Sequence, residues 1–142
     1  MSLFSALSVS ASGMTAQRTR AELLVENLAN SETTRTPAGG PYRRKDAVFS
    51  TAEEGSPFSS VFEREVGTGV EVAGILQDDR EPDRRYLPGH PDADAQGYVP
   101  FPKINPAEDM VDLLGASRAY QANVAAISAV KDMIARSIDI LK

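Results

Sequence analysis

Residues 105–142 read NPAEDMVDLLGASRAYQANVAAISAVKDMIARSIDILK, and this stretch decides the fold because it predicts one long amphipathic helix. Asn105 can accept a hydrogen bond from an unpaired amide of the first turn, Pro106 suits the first helical position, and Glu108 completes a capping box. Apolar residues then recur at alternating spacings of three and four, which places them on one face. The two seam positions of this repeat hold Leu113, Tyr120, Ile127, Ile134 and Leu141, and Ser117, Val124, Lys131 and Ile138.

A second amphipathic helix is predicted near the N-terminus, from about Leu3 to Ala29. Its second half is the stronger prediction, because Gly13 and several serines lower the helix propensity of the first half. Asn30 follows the helix and is expected to end it in the left-handed conformation. The two seam positions of its seven-residue repeat hold Leu7, Met14, Ala21 and Leu28, and Leu3, Ser10, Gln17 and Leu24.

Between the helices lies a segment rich in turns. All nine prolines fall between residues 37 and 106, and eight of the ten glycines between 39 and 97. The best strand candidates are residues 46–50 and 70–75, and Pro88-Gly89 predicts a tight turn in an extended loop. The sequence therefore predicts an α+β fold. It divides into an N-terminal axial helix (1–30), a small β-rich domain (31–104) and a C-terminal axial helix (105–142).

Each long helix carries one apolar stripe that it cannot bury alone, and an isolated helix of this kind is marginally stable in water. One interpretation is that the stripes pair within the chain as an antiparallel coiled coil. The other is that part of each stripe contacts neighbouring subunits. A heptad repeat does not name its partner, so both interpretations stay open at this point.

Composition excludes several classes of function. The formal net charge is −5, which argues against nucleic acid as the main partner because phosphate binding needs a basic patch. The absence of cysteine excludes disulfides and thiolate metal sites. The N-terminus lacks the basic and apolar regions of a cleaved secretory signal, and no apolar run has the roughly 20 residues of a membrane span.

Catalytic chemistry finds little support in the sequence. His90 is the only histidine, and Asp92 and Asp94 are its nearest carboxylates, a spacing that arises by accident more often than in metal sites. No serine lies in a nucleophile elbow, and Gly67-Thr68-Gly69 lacks the lysine of a phosphate loop. We therefore expect no enzyme activity and no catalytic, cofactor-binding or metal-binding residue.

Four segments, in order, resemble the FlgC family of flagellar basal-body rod proteins. They are the stretch from QR to NLAN at 17–30, GPYRRKDAVF at 40–49, the stretch from PGHP to GYV at 88–99, and EDMVDL at 108–113 with ASRAYQAN at 116–123. The resemblance covers nearly the whole chain. It implies a structural subunit of the proximal rod that assembles helically and transmits motor torque through the periplasm to the hook and filament.

The resemblance also implies partners and a location. The partners are other copies of the chain, the rod proteins FlgB, FlgF and FlgG, and the adapter FliE at the rod base. The location is the periplasmic rod of the basal body, reached through the flagellar type III export apparatus without a cleaved signal; no cofactor is implied. The residues expected at the assembly interface are Leu7, Met14, Ala21, Leu24, Leu28, Asn30, Leu113, Arg118, Tyr120, Asn123, Val124, Ile127, Ile134 and Ile138.

Two functions of other classes compete with the rod subunit. A coiled-coil adaptor that only dimerises would form a closed oligomer instead of a stack. A secreted effector with an enzymatic site around His90 and Asp92 would tolerate the loss of seam contacts but not the loss of His90.

Overall fold

A computed structural model describes residues 3–52 and 69–140. Its elements, in chain order, are α1 (Leu3–Ala29), β1 (Lys45–Thr51), β2 (Val70–Gln77), β3 (Asp83–Tyr86), β4 (Tyr98–Phe101) and α2 (Pro106–Ile140). The strands form two separate antiparallel pairs, β1–β2 and β3–β4. The predicted α+β class, with two long helices and small sheets between them, is confirmed. Three residues of the patterns considered above, Gly67, Thr68 and Leu141, lie outside the described residues.

The start of α2 follows the predicted capping pattern in part. The Asn105 side-chain oxygen accepts a hydrogen bond from the Ala107 amide at 3.2 Å, and α2 begins at Pro106. Glu108 is exposed, and the bonds found in the described part of the chain do not include one from Glu108 back to Asn105. The helix therefore has an asparagine cap without the reciprocal half of the capping box.

The end of α1 differs from the prediction for Asn30. Within residues 3–52 and 69–140, positive φ angles occur only at glycines, so Asn30 is not left-handed. Its backbone amide and its side-chain amide both donate to the Glu26 carbonyl oxygen, at 3.1 Å and 2.9 Å. The side chain of Asn30 therefore adds a second donor to a carbonyl oxygen that its backbone amide already bonds, and the helix ends there without a left-handed residue.

The two helices pack side by side in opposite directions. Gly13 lies against Asn123, so close that a β-carbon at Gly13 would come within 3.1 Å of the Asn123 side-chain nitrogen. Farther along α1, Arg20 lies 3.6 Å from Asp112. Positions thus increase along α1 while they decrease along α2. The fully buried apolar residues of the two helices are Ala16, Leu23, Leu24, Ala116 and Val130.

The face that α2 turns toward α1 is rotated from the predicted seam. The seam positions Ser117, Val124, Lys131 and Ile138 are all exposed. The inward positions lie one residue earlier in each heptad, and they hold Asp109, Ala116, Asn123 and Val130, all buried or half-buried. Both choices preserve the spacing of three and four. The apolar residues at 124 and 138 favoured the seam that contains them. The observed inward positions were harder to recognise because two of their residues, Asp109 and Asn123, are polar.

The β1–β2 hairpin lies along α1. Asn27 bonds to Lys45 at the start of β1, and the Ser12 hydroxyl accepts a hydrogen bond from the Val70 amide at the start of β2, at 3.0 Å. The fifteen residues of helix between these contacts span about 22 Å, close to the length of a seven-residue strand. The hairpin is thereby fastened to the helix near both of its ends.

The β3–β4 pair was not predicted as sheet. Val99 and Phe101 of β4 are buried, and the Arg85 guanidinium of β3 lies 4.5 Å from the centroid of the Phe101 ring. The two strands were not recognised in the sequence because prolines lie before, after and within them. The predicted turn at Pro88-Gly89 is present, with the His90 amide donating to the Leu87 carbonyl oxygen at 3.0 Å. No helix in the described part of the chain is long and apolar enough to cross a membrane.

Candidate assembly interface

Large apolar residues of α2 stay exposed in the folded monomer, some at the edges of its contact with α1 and others on the far side. Its early turns contribute residues whose side chains stay largely in solvent although they are large and apolar; Val111, for example, is 70% exposed. Large apolar residues are also exposed in the C-terminal half of the helix. The exposed large apolar residues of α2 are Met110, Val111, Leu114, Tyr120, Val124, Met133 and Ile138.

A groove of about 520 Å³ runs beside the helix–helix contact. Ala116 forms part of its lining, and the wall residues Leu113 and Tyr120 come from α2. From α1 come Gln17, Arg18 and Ala21. The small side chains let the helices approach while leaving room at the surface, and a second helix could enter such a space by the usual interdigitation of side chains.

The predicted interface residues of α1 lie at different depths. Leu24 is buried in the core, whereas Leu7, Met14, Ala21, Leu28 and Asn30 are half-buried along the flanks of the helix pair. None of these six is fully exposed. Of these six, Ala21 lines the groove.

The predicted interface residues of α2 fall into two groups. Leu113, Asn123, Ile127 and Ile134 are half-buried, and Asn123 donates to the Ala119 carbonyl oxygen of its own helix at 3.0 Å. Arg118, Tyr120, Val124 and Ile138 are exposed. The second group is the more accessible of the two in the folded monomer.

Sequence reasoning missed other exposed apolar residues. Phe4 is 76% exposed and Val25 is 52% exposed on α1, and Met110, Val111 and Leu114 belong to the outward surface of α2. These residues lie off the chosen seam. The available signal was the presence of large apolar residues on more than one face of each helix, which exceeds what pairing of two helices alone requires.

Asn27 of the NLAN segment anchors the β-rich segment to α1. Its side chain is fully buried, and its oxygen accepts hydrogen bonds from the Lys45 amide at 2.9 Å and from the Tyr42 hydroxyl at 3.0 Å. Its nitrogen donates to the Lys45 carbonyl oxygen at 2.8 Å. Burial raises the pKa of Tyr42 to about 12, and the neighbouring carboxylate of Glu26 acts in the same direction.

His90 and Asp92 are occupied by local loop contacts. The Nδ1 atom of His90 accepts a hydrogen bond from the Asp92 amide at 3.1 Å. The Asp92 carboxylate accepts one from the Thr34 hydroxyl at 2.8 Å and pairs with Arg35 at 3.2 Å. Among the described residues, no group of three or more His, Cys, Asp or Glu side chains is placed to hold a metal ion. This geometry gives the enzymatic alternative no support.

Comparisons of this sequence with known proteins indicate one family. The protein-family model described as flagellar basal body rod FlgEFG protein C-terminal matches residues 95–140. A protein of Bacillus subtilis named flagellar basal-body rod protein FlgC is 41% identical over the full length of both chains. The protein of the same name from Borreliella burgdorferi is 40% identical over all of this chain and 99% of its own. That from Escherichia coli O157:H7 is 35% identical over 97% of each. Because the similarity at these identities extends over the whole sequence, the chain belongs to the FlgC family of flagellar basal-body rod proteins.

Proposed function

We propose that the chain, a structural subunit of the flagellar basal-body rod, builds the proximal part of that rod and transmits motor torque toward the hook and filament. Its role is mechanical and not enzymatic, as the names of its relatives indicate. The observation that best supports this proposal is the apolar surface of α2, which stays exposed after α1 and α2 have packed together.

The exposed surface supports assembly on energetic grounds. Soluble monomers rarely leave large contiguous apolar patches in water, and such patches usually mark sites of protein–protein contact. Burying apolar surface contributes about 25 cal/mol per Å², so a long stripe covered by neighbours supplies substantial binding free energy. Contacts that repeat by a rotation that does not close produce a helical tube, which is the geometry that a rod needs.

The proposal includes the internal packing of the subunit. We infer that α1 and α2 form an antiparallel coiled coil, with Ala116, Asn123 and Val130 of α2 facing α1 at heptad spacing. The chain then divides into two axial helices, 1–30 and 105–142, and a β-rich domain, 31–104. The half-buried interface candidates on both helices line the edges of this coiled coil, where a neighbouring helix can reach them.

The proposed partners are other copies of the chain, the rod proteins FlgB, FlgF and FlgG, and the adapter FliE. The proposed route to the periplasmic rod is the flagellar type III export apparatus. Membership of a rod-protein family supports assembly with rod components in general, and the identity of each partner belongs to the proposal.

Val124→Asp tests the interface in cells that lack the native protein. Val124 is 45% exposed, so we expect the free energy of unfolding of the purified variant to change by less than about 0.5 kcal/mol. Placing a carboxylate in a covered apolar contact is costly, and we therefore expect loss of rod completion and of swimming. Normal swimming would show that the surface around Val124 is not a required contact.

Leu76→Asp is the matched control, because Leu76 is apolar and 64% exposed but belongs to β2. We expect this variant to swim. Ile127→Asp, the substitution that the heptad pattern first suggests, is less informative because Ile127 is half-buried. A carboxylate there would destabilise the helix pair and so confuse a failure of folding with a failure of assembly.

A further inference from the structure

A buried ion pair joins the starts of β1 and α2. Asp109, in the first turn of α2, is only 1% exposed, and one of its carboxylate oxygens lies 3.0 Å from the guanidinium of Arg44. Its other oxygen, Oδ2, is buried without a hydrogen-bond partner, and so is the Nε atom of Arg44. The pair is thus held by one contact, and each member keeps an unsatisfied buried atom.

Asp109 lies among several charged groups, and Arg44 is its only ionic partner within the described part of the chain. Arg44 is shared, because it also lies 3.4 Å from Asp46 of β1. From α2, Asp112 and the exposed Glu108 flank Asp109, and Arg20 of α1 approaches Asp112 at 3.6 Å. Lys103 and Arg80 line the same cleft as Arg44 and Glu108, and Arg80 is paired with Asp78. Asp109 is the most deeply buried of these carboxylates.

Protonation of Asp109 would remove a buried negative charge whose Oδ2 atom has no hydrogen-bond partner. A buried carboxylate with an unpaired oxygen is disfavoured relative to the hydrated carboxylate of the unfolded chain. Arg44 would keep Asp46 as an ionic partner after the charge on Asp109 is removed. Burial raises the pKa of Asp109, and the nearby carboxylates of Asp46, Asp112 and Glu108 act in the same direction, against the opposing effect of Arg44.

We propose that this junction is a proton-linked latch, in which uptake of a proton by the Asp109 carboxyl group tightens the attachment of the first turn of α2 to β1. A group whose pKa is raised by folding contributes stability that is full below its unfolded pKa and is lost as the pH rises through its folded pKa. Lowering the pH toward the unfolded pKa therefore stabilises the folded subunit relative to the unfolded chain. The latch is a property of the folded subunit and does not depend on the proposed role in rod assembly.

Asp109→Asn in the full chain provides the test, because asparagine has nearly the same shape and cannot ionise. The equilibrium constant for unfolding by urea is measured for both proteins between pH 4 and 8. At the upper end we expect the variant to be the more stable. As the pH is lowered from the upper end, the ratio of the wild-type unfolding constant to the variant constant should fall by about tenfold per pH unit through the interval between the folded and unfolded pKa values of Asp109, then level off. A ratio that does not change with pH would overturn the proposal, as would a wild-type protein that is the more stable at every pH.

Asp112→Asn is the matched control. It removes one negative charge from the same turn of α2, but the side chain of Asp112 is 38% exposed. We expect a smaller dependence of the stability ratio on pH, and an equal dependence would contradict the assignment to Asp109.

A direct titration tests the latch without any unfolding transition. The ¹³C signal of the Asp109 carboxyl group, assigned by its absence in Asp109→Asn, is followed against pH in the full chain. We expect a midpoint above the value of about 3.9 for an unperturbed aspartate. A midpoint at or below that value would mean that the junction does not favour the protonated form.

Discussion

Asn27 binds both backbone groups of Lys45, accepting from its amide at 2.9 Å and donating to its carbonyl oxygen at 2.8 Å. The side-chain amide thus takes the place of a neighbouring strand at the free edge of β1. Since Asn27 belongs to α1 and Lys45 begins β1, this one side chain sets the position of the β-rich segment on the helix. The relationship gives a physical reason for asparagine in the NLAN segment.

Asn27→Ala is expected to destabilise the fold strongly. The substitution removes three hydrogen bonds, two to the half-buried backbone of Lys45 and one to the buried Tyr42 hydroxyl. Unsatisfied buried groups cost about 1–3 kcal/mol each, so we expect a loss of roughly 3 kcal/mol or more in the free energy of unfolding, measured with urea. Asn30→Ala is the control, with an expected loss of about 1 kcal/mol because that half-buried side chain bonds only the Glu26 carbonyl oxygen, which keeps a backbone donor, and the Thr33 hydroxyl. Equal losses would contradict the bridging role.

Tyr42 should make the fold sensitive to alkali. Its pKa is raised from 10.0 to about 12, so the stability that it contributes is full below pH 10 and is lost as the pH rises toward 12. In Tyr42→Phe we expect the steepest alkaline decline of stability to be reduced, at a cost of about 1 kcal/mol at neutral pH for the lost hydrogen bond to Asn27. The tyrosinate absorbance of the wild type should continue to rise at pH values where the variant has levelled off. Coincident absorbance curves would refute this assignment.

The helices could be predicted because their signals are local. Asn105 and Pro106 mark the start of α2 through hydrogen bonding and backbone geometry that involve only adjacent residues. The strands β1 and β2 could be found for a similar reason, since β-branched and apolar residues recur between turn signals. Local chemistry, however, does not say which face of a helix meets which neighbour.

The rotation of the α2 seam shows where sequence reasoning fails. Asp109 and Asn123 face inward although they are polar, because a guanidinium reaches one and a glycine of α1 makes room for the other. Both partners are distant in the sequence, and no periodicity encodes them. The candidate interface has the same difficulty: apolar residues such as Met110 become recognisable as surface only after the inward face is known.

Gly97 is the glycine on which the β3–β4 segment depends. Its φ is +84°, in the left-handed region that residues with a side chain rarely adopt, and its carbonyl oxygen accepts a hydrogen bond from the Leu87 amide at 2.9 Å. A β-carbon added there would lie 2.9 Å from a ring carbon of Tyr86 and 3.2 Å from the side chain of Pro88. Backbone conformation and space therefore both exclude a larger residue.

Gly97→Ala should consequently lower the free energy of unfolding by about 1–3 kcal/mol, from strain in the left-handed region together with displacement of the Tyr86 ring. The control is Gly89→Ala. Gly89 belongs to the predicted Pro88-Gly89 turn, but its φ is not in the left-handed region and an added β-carbon would meet no atom within 4 Å. We expect Gly89→Ala to change stability by less than about 0.5 kcal/mol. The free energies of unfolding of the two variants are compared by urea denaturation. A larger loss in Gly89→Ala than in Gly97→Ala would place the strained position of the loop at the turn and not at the entry to β4.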